Sequence, residues 1–409
     1  MSLHPIRYTD LSVREAAAAM RAVSRELSAG TYIPSPTRPK VIEKHVAPRK
    51  KLGDRSTTKN TRTLQIGTVV DRTVAAAVAE EITLYLDSKF LWNSFGFRPG
   101  YNTWQALLSV SETFRRNDLP FLSIDDVRQA FDFVPIDELM KVVRANIADE
   151  RLVDLIERIV RGYQGKNRKV GIDQGSPLSP VLLNLLFCER LDRPFSIAHP
   201  AQPAFRYADN LAWLTKTVDE GVRMPTKAGE LLAALGMELK GGEQPTNLRR
   251  QGAGVDLLGF RIQAQGDGLS FGFGTSAWRK FRDTLCTAQR EPNPTRVTRA
   301  AIKGWLVAHA PAFENADVTQ VLEQTLRHAR AAGVWELGPM GECGDALQGA
   351  IACWRDLSLA CRSIPEDLRG YMDVCKAVHA CASRASTRVP VPGYAPSLPA
   401  RKSGGRFFF

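Results

Sequence analysis

Ten residues, FRYADNLAWL (205–214), limit the folds open to this chain more than any other stretch. Two short apolar runs flank Asp209-Asn210, and an Asp-Asn pair tolerates the positive φ angles that a two-residue hairpin loop requires. The stretch therefore reads as a β-hairpin carrying one carboxylate at its tip. Most hairpins of this composition are plain turns. A second stretch, FLSIDDVRQAFDFVP (121–135), changes the balance, because strand-forming residues there end in Asp125-Asp126 before a helical pattern begins. Two strand-end carboxylates, far apart in sequence, can meet only if the chain builds a sheet that brings those ends together.

Such a pair suits nucleotidyl transfer. Two divalent ions ~4 Å apart activate an attacking 3′-hydroxyl and stabilise the leaving pyrophosphate, and hard cations prefer carboxylate oxygens. On these two stretches and on GIDQGSPLSPVLLNLLF (171–187), the chain resembles reverse transcriptases. The likeness is closest to the bacterial group II intron-like and standalone defence-associated branch, and it runs over about residues 32–311. The resemblance implies an α/β (α+β) right-hand polymerase with fingers over 31–120, an antiparallel-sheet palm over 121–274 and a helical thumb over 275–335. An N-terminal helix (1–30), a helical extension (336–387) and a Pro/Gly-rich tail (388–409) complete the expected organisation.

Charge points the same way. Lys and Arg outnumber Asp and Glu 55 to 43, for a net charge of +12, which favours a polyanionic partner. Nine of these cations lie between Arg38 and Arg62, against only Glu43 and Asp54. Taken singly, each is as compatible with a solvated surface as with a ligand. The resemblance makes this the fingers region, with Arg62 of TRTLQIG (61–67) as triphosphate ligand and Lys59 and Arg72 behind it.

On a strand, Asp125 and Asp126 face opposite ways, so only one can reach the metals. The family pattern selects Asp126, five residues before the aromatic Phe131, and leaves Asp125 and Asp132 as capping or surface charges. By the same resemblance Phe131 excludes a 2′-hydroxyl, the Val127 carbonyl adds a metal oxygen, Gln174 contacts the incoming nucleotide and Gly175 lets the backbone pass near the base pair. Asp126 and Asp209 would hold two Mg²⁺ ions, for which Mn²⁺ can substitute. DLLGFRI (256–262) matches the primer grip through Leu258, Gly259 and Phe260, and FGFRPGYNTWQAL (95–107) matches a loop packing on template and palm.

Two positions depart from the family. Asn210 stands where relatives carry a second aspartate, which removes a negative charge beside the ions and leaves a weak auxiliary ligand. In LGMELKGGEQPTNL (235–248), Glu243 or Gln244 occupies the place of a lysine that assists pyrophosphate departure; Lys240, just upstream, reads as a surface lysine that could substitute.

Local patterns supply the remaining helices: a Ser12–Glu15 capping box before an alanine-rich helix ended by Gly30, a helix over 68–87 with a Val70, Val74, Ala77, Val78 and Leu84 stripe, a helix capped by Ser179, and helices over 278–285, 296–309, 318–332 and 347–384. IKGWLVAHAP (302–311) resembles the segment joining thumb to maturase region in intron proteins. Seven cysteines without a C-x-x-C pair point to free thiols in a reducing cytoplasm, and no apolar run is long enough for a membrane span. No nuclease signature follows the thumb, and three phenylalanines, Phe407 to Phe409, close the tail.

The expected activity is RNA-directed DNA polymerisation, extending a DNA or RNA primer with dNTPs on an RNA template, a cognate non-coding or intron RNA. Two alternatives stay open: an inactive, maturase-like RNA-binding protein, and a template-independent or protein-primed DNA polymerase.

Overall fold

The computed structural model describes residues 12–43, 61–291, 293–335, 337, 338 and 340–385. Helix α1 (Val13–Ser28) carries the expected capping box, with the Ser12 N–H donating to Glu15 at 2.8 Å. Strands β1 (Arg38–Glu43) and β2 (Thr61–Ile66) pair antiparallel, and residues 44–60 between them lie outside the described residues. Thr68 caps α2 (Val69–Asp87) by accepting the Asp71 N–H. Its core-facing stripe is Val74, Ala75, Val78, Ala79, Ile82 and Leu86, whereas Ala77 and Leu84 of the expected stripe face solvent. An alanine-rich helix offers several apolar faces, and the face with more side chain to bury takes the core.

Next come α3 (Thr103–Arg116), β3 (Phe121–Asp126), α4 (Ile136–Asn146) and α5 (Glu150–Arg161). Helices α6 (Ser179–Phe187) and α7 (Arg193–Ala198) are joined by a π-helical turn at Cys188–Asp192. Ser179 does not cap α6: it is the first helical residue, buried, and the Leu178 backbone precedes it. Then follow β4 (Ala204–Tyr207), β5 (Asn210–Thr215), α8 (Val218–Ala233) and β6 (Thr246–Asn247).

These strands form one antiparallel sheet in the order β4-β5-β3-β6. Its central strand β5 is buried on both faces. Ala212 and Leu214 pack with α3 and the C-terminal helices, while Leu211 and Trp213 pack with α4, α6 and α8. Successive strand residues face opposite sides, so LAWL serves two cores at once. The mixed helix-and-sheet class and antiparallel sheets expected from the sequence are both present.

A second antiparallel sheet, β7 (Val255–Leu257), β8 (Phe260–Gln265) and β9 (Gly268–Phe273), leads into α9 (Ala277–Ala288), α10 (Pro294–Ala308) and α11 (Val318–Ala331). The helical stretch expected over 347–384 is built of α12 (Gly341–Arg362) and α13 (Tyr371–Ala385), separated at Pro365. These helices share the α3 core. Trp104 Nε1 donates to the Ala308 carbonyl, Trp104 and Trp354 meet edge to face, and the Arg116 guanidinium reaches the Ile364 carbonyl at 2.9 Å. All seven cysteines are free. No helix among the described residues is long and apolar enough to cross a membrane.

Candidate active site

The ladder between β4 and β5 closes at Tyr207 opposite Asn210, so the loop is Ala208-Asp209 rather than the expected Asp209-Asn210. The positive φ falls on Ala208, at +57°, a strained angle for a residue with a Cβ. Three contacts hold it there. The Arg206 guanidinium donates to the Ala208 carbonyl at 3.1 Å, Phe95 N–H donates to the Arg206 carbonyl, and Gly96 passes so close that a Cβ on it would sit 2.3 Å from the Ala208 nitrogen.

Beneath the hairpin is a buried polar cluster. Arg206, 1% exposed, lies on an otherwise apolar strand and pairs with Asp192 at 2.6 Å. It also donates to Asn184 Oδ1, whose amide in turn donates to the Gly96 carbonyl at 2.6 Å. Sequence reasoning passed over Arg206, Asp192, Asn184 and Gly96. The available signal was an arginine alternating into a strand whose neighbours all face a core.

Across the sheet, β3 places Asp126 directly opposite Asn210, and the Val127 N–H donates to the Asp209 carbonyl at 2.9 Å. Cross-strand partners lie about 4.5–5.5 Å apart at Cα, so the Asp126 and Asp209 strand ends are adjacent. Asp125 turns to the other face, buried, and its carboxylate accepts the N–H groups of Asp126 and Gly242, both at 2.8 Å. The loop after α8 thereby runs along the end of β3. Arg128 N–H donates to the Glu238 carbonyl, Lys240 N–H donates to the Asp126 carbonyl, and the Lys240 ammonium meets Asp126 Oδ2 at 2.5 Å. Gly242 is required there, since a Cβ would fall 2.1 Å from the Ile124 carbonyl oxygen.

Phe131 is buried and meets Phe97 edge to face at 6.3 Å; Phe97 is the more exposed ring and has φ +58°. The 171–187 loop closes on this segment through Ile172 N–H to the Phe131 carbonyl, at 2.9 Å. Gln174 is buried, its side-chain amide donating to Asp132 at 2.8 Å and its backbone carbonyl accepting the Gln65 N–H of β2. Asp132 thus orients Gln174 rather than standing as an idle surface charge. Gly175, at φ +118°, abuts β2 and shares with Arg72 the lining of a cavity of about 440 Å³, to which Asp126, Asp209 and Phe131 do not contribute. Arg62, on β2, pairs with Ile42 of β1, and its side chain lies outside the described residues, as does all of Lys59. Arg98 folds inward, donating to Asp87 and to the Leu91 and Ser94 carbonyls, and so serves the fold.

The matched primer-grip residues form the β7–β8 turn, with Leu258 at φ +53° and Gly259 at φ +91°. The Phe260 ring is buried and packs 5.4 Å from the His309 ring, leaving Leu258-Gly259 as the tip. Burial lowers the His309 pKa below the usual imidazole value.

The donor set fits divalent ions bound by few protein ligands. Among the described residues no three His, Cys, Asp or Glu side chains converge, so the protein would offer two carboxylates and neutral oxygens, the arrangement Mg²⁺ accepts when phosphates and water fill the remaining positions. Asp126 already binds a cation, the Lys240 ammonium, which marks it as accessible to one.

Known proteins bear directly on this geometry. Residues 47–242 match the reverse transcriptase (RNA-dependent DNA polymerase) family. A 150-residue stretch is 31% identical to the uncharacterized 91 kDa protein in cob intron of Schizosaccharomyces pombe, covering 34% of this chain and 18% of that protein. Over 179 residues the chain is 26% identical to the group II intron-encoded protein LtrA of Lactococcus lactis subsp. cremoris, covering 42% and 28%. It thus spans less than a third of the length of these relatives. Among solved structures, apo telomerase from Candida tropicalis superposes with a TM-score of 0.42 at 10% identity, over 89% of this chain and 74% of that one. Residues 47–242, which carry the paired strand-end aspartates, are thus similar to the reverse transcriptase family.

Proposed function

We propose that the chain is an RNA-directed DNA polymerase that adds deoxynucleotides to a primer 3′-hydroxyl. The observation that carries this reading is the adjacency of Asp126 and Asp209 at neighbouring strand ends, with Phe131 in the segment that follows β3. The two carboxylates and the Val127 carbonyl would hold two Mg²⁺ ions, or Mn²⁺ in their place. When bound, these ions lower the pKa of the attacking hydroxyl and neutralise the leaving pyrophosphate. Phe131 limits the room beside the sugar 2′ position, Gln174 is held by Asp132 to meet the nucleotide, and Arg62, Lys59 and Arg72 neutralise triphosphate. Gly175 brings backbone close to the base pair. In this reading β1–β2 belongs to the fingers, the four-stranded sheet to the palm, and α9 to α11 to the thumb, with Leu258, Gly259 and Phe260 behind the primer. RNA is the template, from an intron or a defence-associated non-coding RNA.

A second reading has one observation in its favour. Asn210 is neutral and Lys240 is paired to Asp126, so the site holds little negative charge, as a maturase-like RNA-binding protein without polymerase chemistry would tolerate. Primer extension on an RNA template with Mg²⁺ or Mn²⁺ separates the two. Incorporation that Asp209→Ala abolishes supports the polymerase; RNA affinity with no incorporation in either metal, also in Asn210→Asp, supports the binding protein.

A further inference from the structure

Lys240 is not a loose surface lysine. Its backbone is locked against the end of β3 by its own N–H to the Asp126 carbonyl, by Arg128 N–H to Glu238, and two residues on by Gly242 N–H to Asp125. These bonds aim its side chain at one target, and the ammonium lies 2.5 Å from Asp126 Oδ2 with half of the lysine side chain still exposed.

We propose that Lys240 is a tethered counter-ion that competes with divalent cations for Asp126 and so sets the metal concentration at which the site loads. The inference rests on the two-carboxylate reading above. The groups at the strand ends are the Asp126 and Asp209 carboxylates, the Lys240 ammonium and the neutral amide of Asn210; the Asp125 carboxylate lies on the other face, taken up by the Asp126 and Gly242 N–H groups, and Arg128 and Glu238 neutralise each other. A divalent ion approaching Asp126 must displace the ammonium from Oδ2 or share the carboxylate with it, and in either case it meets a like charge at short range. The flexible four-carbon stem lets the lysine head withdraw while its backbone stays pinned, so competition requires no movement of the fold. Asn210 cannot offset the added positive charge. Lys240 and Asn210 therefore act in one direction, toward a site that loads only at raised metal concentration.

Mn²⁺ binding to the full chain, read by electron paramagnetic resonance of the free ion, tests this apart from activity. Lys240→Met should bind Mn²⁺ about two- to fivefold more tightly than the parent, the scale of an exposed ion pair. Lys240→Arg should stay near the parent, and the gain should vanish when Asp126→Asn is added. Thermal unfolding without metal establishes that the variant is folded, and Lys240→Gln repeats the measurement if the methionine variant is not. Unchanged or weaker binding by folded Lys240→Met and Lys240→Gln, with Asp126→Asn still weakening it, overturns the competition and leaves the two-carboxylate site standing. Mn²⁺ affinity indifferent to Asp126→Asn overturns both.

Discussion

The Arg206 guanidinium closes on the Asp192 carboxylate at 2.6 Å beneath the Asp209 hairpin, with both side chains shut off from water. The same guanidinium holds the Ala208 carbonyl, so a buried charge pair sets the backbone of the residue before Asp209. Removing one member strands the other charge in a dry interior. Arg206→Met should cost about 3–5 kcal/mol in urea unfolding, and the double variant Arg206→Met/Asp192→Leu should recover part of that loss. A single variant within about 0.5 kcal/mol of the parent would show that the pair does not hold the hairpin.

Gly96 is the second restraint on the tip. Because an added Cβ would meet the Ala208 nitrogen at 2.3 Å, Gly96→Ala must push the hairpin away from the 95–98 loop. Stability should fall by about 1–3 kcal/mol, and primer extension should drop further than stability alone explains, since Asp209 moves with Ala208. Full polymerase activity in a folded Gly96→Ala protein would separate the loop from the catalytic geometry.

Phe131, held edge to face with Phe97, is assigned to sugar selection. Replacing it with valine should leave deoxynucleotide incorporation measurable while narrowing the preference over ribonucleotides by about 10- to 100-fold, the discrimination that loss of a few buried carbons can produce. Paired incorporation assays with dNTP and rNTP give the ratio, and an unchanged ratio removes Phe131 from that role.

His309 supplies a pH dependence. It packs against Phe260, Phe273 and Trp305, and burial depresses its pKa. The unfolded chain then takes up a proton near the ordinary imidazole value of about 6.5 that the folded chain resists. Its contribution to stability is therefore complete above that value and is lost as pH falls through the window down to the depressed folded value. Unfolding free energies measured at several pH values should decline more steeply on the acid side for the parent than for His309→Phe. Parallel curves would place the acid sensitivity elsewhere.

Asp126, Phe131 and Gln174 were singled out by the resemblance to reverse transcriptases, and the two carboxylate-ended stretches 121–135 and 205–214 by their strand-forming runs; the structure sets Asp126 beside the Asp209 hairpin. Ser179 and the α2 stripe were misread for a shared reason: local rules rank a hydroxyl before proline as a cap, or any apolar periodicity as the buried face, without knowing which side the core occupies. The tip of the hairpin was displaced by one residue because Asn210 takes a ladder position opposite Asp126, which only the pairing partner could reveal.

Composition and local pattern by themselves determined that this chain builds strand-ended carboxylates, a basic segment before them and helices after, since alternation, turn residues and charge are properties of neighbours in sequence. Tertiary structure alone decided which face each carboxylate takes, that Arg206 is buried to hold Ala208, and that Lys240 rests on Asp126. Those outcomes depend on contacts between residues far apart in the chain, whose energies exist only once the sheet has closed and water has left it.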